Sequence, residues 1–199
     1  TEFAFSGHSL AQTFVAPADV FATSLEVLVE NWTGAADGSL TVSLTGATGT
    51  FPNTGATLAS KVFASGDVPM ALAWLTVTLD SPVFLTAGTR YAVVLASNAT
   101  MGNDYGWVPA APGAYVDGSA WDKTSPAPWV PQDGGAGASD FAFRVNGDCP
   151  IDCDSDVDTV CNQENALCSQ VACRSGSPAI DNCLATANPG QADADNDDI

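Results

Sequence analysis

The sequence predicts an all-β fold: an antiparallel, jelly-roll-like β-sandwich followed by an irregular, disulfide-rich, calcium-binding C-terminal segment. Three observations predict it. Short runs alternate apolar and polar residues with period 2, turn residues separate those runs, and acids and cysteines crowd into the last quarter of the chain. Period-2 runs of this length are half-buried antiparallel strands. Many short strands at this spacing suggest a sandwich or jelly roll.

Thr1-Glu2-Phe3-Ala4-Phe5 alternates, with Phe3 and Phe5 on one face. It reads by default as the sandwich's own first strand. The other reading is a strand added to the sheet edge of a neighbouring subunit. The next runs are Ser24–Val29, Leu40–Leu44, Leu75–Leu79, Arg90–Leu95 and Phe141–Val145. In them Leu40, Val42 and Leu44 share a face, as do Tyr91, Val93 and Leu95. Asp37-Gly38, Pro52-Asn53-Thr54-Gly55 and Ala87-Gly88-Thr89 supply the turns. No stretch of ten residues carries a capped helical period, so helices are expected to be few.

The chain of 199 residues has 23 Asp and Glu against 5 Lys and Arg, a formal charge of −18, yet is 46% hydrophobic. That is enough apolar material to exclude global disorder. Nothing here neutralises a phosphate backbone, so no nucleic-acid partner is expected. Anionic membrane surfaces are disfavoured for the same reason. No apolar run approaches the ~18 residues of a membrane span, so no membrane insertion is expected.

Charge and cysteine are uneven. Residues 1–147 hold 12 acids and 4 bases, whereas residues 148–199 hold 11 acids and 1 base. All six cysteines (Cys149, Cys153, Cys161, Cys168, Cys173 and Cys183) lie in the second part. A domain boundary is therefore placed near Asn146-Gly147, giving a sandwich domain over 1–147 and a stapled segment over 148–199. Six cysteines in a short Asp-rich segment read as a disulfide framework from an oxidising compartment. Zinc is the weaker reading, because no Cys-x-x-Cys pair exists and the only histidine is the remote His8. Six cysteines allow fifteen pairings, and spacing does not choose among them. The chain starts at Thr1 without a signal peptide or initiating Met, as expected after removal of a leader or excision of a fragment. The expected location is extracellular or cell-surface.

Tyr105, Trp107, Tyr115, Trp121 and Trp129 crowd into 25 residues rich in Pro and Gly. Exposed rings of this kind stack on sugar C–H faces and make a candidate glycan site. The competing reading, favoured here, packs them under long loops as core or rim. Trp74 and Tyr91 lie in alternating runs and are expected in the core. Two sequons, Asn31-Trp32-Thr33 and Asn98-Ala99-Thr100, carry no functional inference.

In the second part, Asp152, Asp154, Asp156 and Asp158 alternate, as do Asp193, Asp195 and Asp197. Hard divalent cations take several oxygens, and Asp at every second position can turn successive carboxylates inward in a tight loop. Without a cation such carboxylates repel. These seven residues are the candidate Ca2+ ligands, with a solvated acidic linker as the bland alternative. Asn162–Gln170 reads at most as one short helical turn, too short to stand as an independent helix.

Two resemblances follow. Ala11-Gln12-Thr13-Phe14, Gly49-Thr50-Phe51-Pro52 with Leu58-Ala59, Trp74-Leu75-Thr76-Val77, Ser81–Tyr91, Tyr105-Gly106-Trp107 and Asp140–Arg144 occur in that order. The order resembles the choice-of-anchor R domain over roughly residues 9–147. That family implies an extracellular β-sandwich in bacterial surface proteins, no catalysis, and no residue roles. Asp181-Asn182-Cys183, then Asn188-Pro189-Gly190-Gln191, then Asp193–Asp197 resemble a thrombospondin type 3 repeat. That likeness implies calcium on Asp193, Asp195 and Asp197, with disulfide ties. Leu184 stands where the family has Pro, and Ile199 precedes the later Gly, Asp and Cys of the repeat. No Gly follows the third Asp of the Asp152–Asp158 stretch, which reads as a degenerate repeat.

Enzymatic signatures are missing: there is one His, no G-x-S-x-G and no G-x-x-x-x-G-K-[ST]. His8-Ser9 adjacency is not a triad, and none of the 12 acids in the first part is marked out as a catalytic carboxylate. The expected function is non-enzymatic: an extracellular structural or adhesive surface protein, possible as a self-associating fibre subunit, with a calcium-stabilised stalk. The alternative is a carbohydrate-binding module of a larger secreted enzyme, its partner a cell-surface glycan.

Overall fold

Alternation sends every second side chain of a strand to one face, and the outcome is visible in the strand Leu40–Thr48. Leu40, Val42 and Leu44 are wholly buried, while Thr41 and Ser43 between them are half-buried. The computed structural model describes residues 1–32, 36–110, 115, 117–132 and 140–148. Among these the chain is all-β, with a 3-10 turn at Ser65–Asp67 and no α-helix.

The strands are β1 (Glu2–Ala4), β2 (His8–Val15), β3 (Val20–Asn31), β4 (Leu40–Thr48), β5 (Phe51–Phe63), β6 (Ala73–Leu85), β7 (Arg90–Ser97), β8 (Tyr105–Trp107), β9 (Ser119–Thr124), β10 (Val130–Pro131) and β11 (Phe143–Asp148). They form two antiparallel sheets. In one, β1 pairs β8, β8 pairs β3, and β3 pairs β6. β6 takes one edge of β3 along its length, so β8 and β11 share the other edge end to end. The second sheet runs β10-β9-β2-β7-β4-β5. From β1 to β8 every connection crosses between the sheets except the β4–β5 hairpin. That order, 1-8-3-6 facing 2-7-4-5, is the strand order of a jelly roll. Among the described residues only β4–β5 and β9–β10 pair as sequential hairpins, so most sheet contacts join residues far apart in the chain.

One apolar cluster fills the space between the sheets. Leu10, Phe14, Leu44, Val93 and Leu95 come from one sheet, and Leu25, Val27, Val77, Tyr105 and Trp107 from the other. A core shared by two sheet faces is the arrangement of a sandwich. β1 pairs with β8 of the same chain, as the default reading of the N-terminal run expects.

The turn expected at Pro52–Gly55 is not a turn between strands. Those residues open β5, and the ladder to β4 shifts register there, from Thr45 opposite Thr57 to Gly46 opposite Asn53. Turn-forming residues are being used to make a bulge, which bends the hairpin. The strand expected at Phe141–Val145 starts at Phe143, and Phe141 makes only an isolated bridge to Pro109. β11 runs to Asp148, with a register shift between Asn146 and Gly147. Gly88, with φ +71°, makes the Ala87-Gly88-Thr89 turn feasible without strain.

Candidate functional site

The five candidate glycan residues divide into three groups. Tyr105 and Trp107 point inward from β8 and are wholly buried. The Trp107 ring stacks on Phe141, with centroids 4.5 Å apart and planes at 12°, and its Nε1–H donates to the Ala142 carbonyl at 2.9 Å. The Tyr105 hydroxyl donates to the Gly38 carbonyl at 2.6 Å. Burial, and then the negative charge of Asp37, raise its pKa above the usual 10. Neither ring offers a face to a sugar, so for these two the packing reading describes what the structure shows.

Tyr115 is half-buried. Its hydroxyl donates to the Val15 carbonyl (2.7 Å) and accepts from the Val15 N–H (3.0 Å), so one side chain caps the end of β2 as a neighbouring strand would. Burial raises this phenol's pKa, and the bond to Val15 opposes that rise.

Trp121 and Trp129 lie on the outer face of the six-stranded sheet. With Ala11, Ala92 and Val94 they form a second, smaller apolar group. Alanine at Ala11 and Ala92 leaves room above the sheet for the indoles. The Trp121 Nε1–H meets Thr13 Oγ1 at 3.2 Å, and the Lys123 ammonium sits 5.8 Å from the Trp129 ring centroid. Both indoles are more than nine-tenths buried. Above them is Phe51, which the sequence did not single out: it is 49% exposed, and its ring centre is 4.9 Å from that of Trp121. The bulged end of the β4–β5 hairpin brings it there, a placement with no local signal.

A polar bridge crosses the core. Gln12, wholly buried on the inner face of β2, donates from Nε2 to Asp140 Oδ1 at 2.8 Å and to the Thr13 carbonyl at 3.0 Å. Its Oε1 accepts the Phe141 N–H at 2.7 Å, and Asp140 Oδ2 accepts the Tyr115 N–H at 2.9 Å. All four heteroatoms of the pair are used, as buried polar groups require. The bridge ties β2 to the residues just before β11 and to Tyr115, and none of its four heteroatoms is left unpaired.

A cavity of about 340 Å3 opens at one end of the sandwich, among Phe14, Val20, Leu85, Tyr115, Phe143 and Val145. Its walls are mainly apolar, the usual character of a small-molecule pocket. At the flank of the sandwich, β5 and β6 each pair with one strand only, so two 13-residue edges lie free side by side. Leu58 and Val62 on β5 and Phe84 on β6 are exposed, as are Met70 and Leu72 in the connection between them. Lys61 and Asp80 join the two edges at 3.3 Å.

The candidate metal ligands Asp152, Asp154, Asp156, Asp158, Asp193, Asp195 and Asp197 and all six cysteines lie outside the described residues. Among the described residues, no three His, Cys, Asp or Glu side chains gather as a metal group. Nor is any helix there long and apolar enough to cross a membrane. No family model matches the chain, and no curated protein matches it.

Proposed function

We propose that the chain is a non-enzymatic extracellular structural or adhesive module. Its sandwich associates with further copies along one flank, and its acidic, cysteine-rich segment is a stalk stiffened by Ca2+ and disulfides. The observation that carries this reading is the pair of long free edges, β5 and β6, with exposed Leu58, Val62 and Phe84. Free edges are templates for strand addition. Regular ladder is presented over Ala59–Phe63, where Lys61 is the only charge, and a register shift at Leu58 together with Pro52, Asp80 and Pro82 limits indiscriminate pairing elsewhere. β5 contains no acid, so this strand escapes the charge repulsion that the rest of an acidic protein imposes on its own copies.

Sedimentation of the full chain over a wide concentration range tests the association. Assembly that Leu58→Lys and Val62→Lys abolish is the expected result. A wild-type chain that stays monomeric and binds no cells refutes the reading. For the stalk, chelation is expected to expose new protease sites within 148–199 and to leave the sandwich intact. An identical cleavage pattern with and without chelator refutes that part.

A second reading, a carbohydrate-binding module, is favoured by half-exposed Phe51 resting on Trp121 beside Trp129 and Lys123. A glycan array with Phe51→Ala and Trp121→Ala decides it. Binding that survives both substitutions, or no binding at all, removes it.

A further inference from the structure

The register of β11 shows where the chain is heading when it leaves the sandwich. Phe143, Val145 and Gly147 lie opposite the buried Val27, Leu25 and Ala22 of β3, and Asp148 lies opposite Phe21. The residue skipped at the register shift is Thr23 of β3, so alternation along β11 is unbroken. A Cβ at Gly147 would collide with the Phe21 carbonyl and with Ala22, so glycine lets β11 run tight against β3 to its end.

Beyond Phe21, in the direction β11 travels, come Val20, Asp19 and Ala18. Val20 and Ala18 are walls of the 340 Å3 cavity, together with Phe14, Leu85, Phe143 and Val145. Val20 pairs with Leu85 on one side and, among the described residues, with no strand on the β11 side. The chain therefore leaves β11 at the mouth of an apolar hollow.

The next residues are Cys149, Pro150 and Ile151. Three residues reach about 10 Å. Ile151 has the parity of Phe143 and Val145, the core-facing side of β11. It is the one large aliphatic residue between Val145 and Val157, and the acids Asp152, Asp154 and Asp156 follow it directly. Carboxylates stay in water, whereas an aliphatic side chain gains by leaving it. An unfilled apolar hollow also forfeits the dispersion contacts of its walls.

We propose that the cavity is the docking site of the chain's own Ile151, which pins the start of the C-terminal segment to the end of the sandwich. The occupant is this segment and not a free ligand, because a side chain tethered three residues from the mouth is present at a high effective concentration. The inference requires neither Ca2+ on the aspartates nor association along β5 and β6, and its readout is independent of both.

Isoleucine occurs only at Ile151, Ile180 and Ile199. The full chain, labelled with 13C at the isoleucine δ1 methyls, therefore gives one NMR signal for each. The Ile151 methyl is expected upfield, shifted by ring currents, with NOEs to ring protons of Phe14, Tyr115 or Phe143. Ile180 and Ile199 are expected to show none. Ile151→Ser should lower the thermal midpoint of the sandwich, followed by tryptophan fluorescence, by several degrees. An Ile151 methyl without ring contacts overturns the proposal, as does an Ile151→Ser chain with the wild-type midpoint. Added benzene that contacts those rings in the wild type assigns the cavity to a free apolar ligand and overturns it too. So does an Ile151 contact seen only between labelled and unlabelled copies in a mixed sample, which places the segment on a neighbour.

Discussion

Asp140→Ala is the substitution that tests the Gln12–Asp140 bridge most directly. Asp140 is 1% exposed, and it accepts from Gln12 Nε2 at 2.8 Å and from the Tyr115 N–H at 2.9 Å. Removing the carboxylate leaves the Tyr115 N–H without its acceptor and leaves Gln12 Nε2 with only the Thr13 carbonyl. A buried donor stripped of its partner costs about 1–3 kcal/mol. One full loss and one partial loss therefore come to about 2–4 kcal/mol. Asp140→Asn is nearly as costly, because its NH2 group must face one of two donors. The assay is urea unfolding followed by tryptophan fluorescence, with thermal unfolding as a check. At ~2–4 °C per kcal/mol for a domain of this size, Asp140→Ala should lower the midpoint by about 4–16 °C. A loss below about 0.5 kcal/mol, the range of ordinary surface substitutions, would refute the bridge as a stabilising element. A neutral Asp140→Asn would refute the assignment of two donors to Asp140.

Further outcomes follow from the same geometry. Trp107→Ala should cost about 3–5 kcal/mol, read by denaturant unfolding, because a wholly buried indole and its bond to Ala142 are lost together. Tyr105 and Tyr115 have raised pKa values, so the folded state holds their protons more tightly than the unfolded chain. Their stabilisation is full below about pH 10 and fades as pH rises through the folded values. Tyr105→Phe should flatten that alkaline limb in a pH series of thermal midpoints. Asp37 runs the other way: bonds from the Thr100 hydroxyl and N–H lower its pKa, which gives stability that is present above the ordinary Asp value of about 3.9 and is lost as pH falls through the folded value. Thr100→Ala should move the Asp37 carboxyl resonance, titrated by NMR, back towards that ordinary value.

Strands with one face to the core and one to solvent were legible. Leu75 and Val77 on β6 and Leu40, Val42 and Leu44 on β4 are buried as their alternation implies. β2 was not legible as a half-buried strand, since Leu10 to Phe14 are all buried. Its outer face is covered by Trp121 and Trp129, which erases the contrast that alternation relies on. β5 lost the contrast for the opposite reason: an edge strand exposes both faces, so its pattern is mostly open. Of the candidate glycan residues, composition found the indoles near the outer sheet surface but not Phe51.

Sequence by itself determined the strand type, which side chains of β4 and β7 face inward, and the concentration of acids and cysteines after residue 147; on β6 it placed Leu75 and Val77, but Trp74, expected in the core, is half-buried beneath Arg144 on the opposite face. These are properties of period and composition, and they are local. Tertiary structure alone decided which strand lies beside which, that Tyr105 and Trp107 belong to the core, and that Gln12 meets Asp140 across 128 positions. It also decided which two strands are left with free edges. The reason is that backbone hydrogen bonding is the same for every residue. Strand order is therefore set by which faces can be buried together over long separations, and no local pattern encodes that choice.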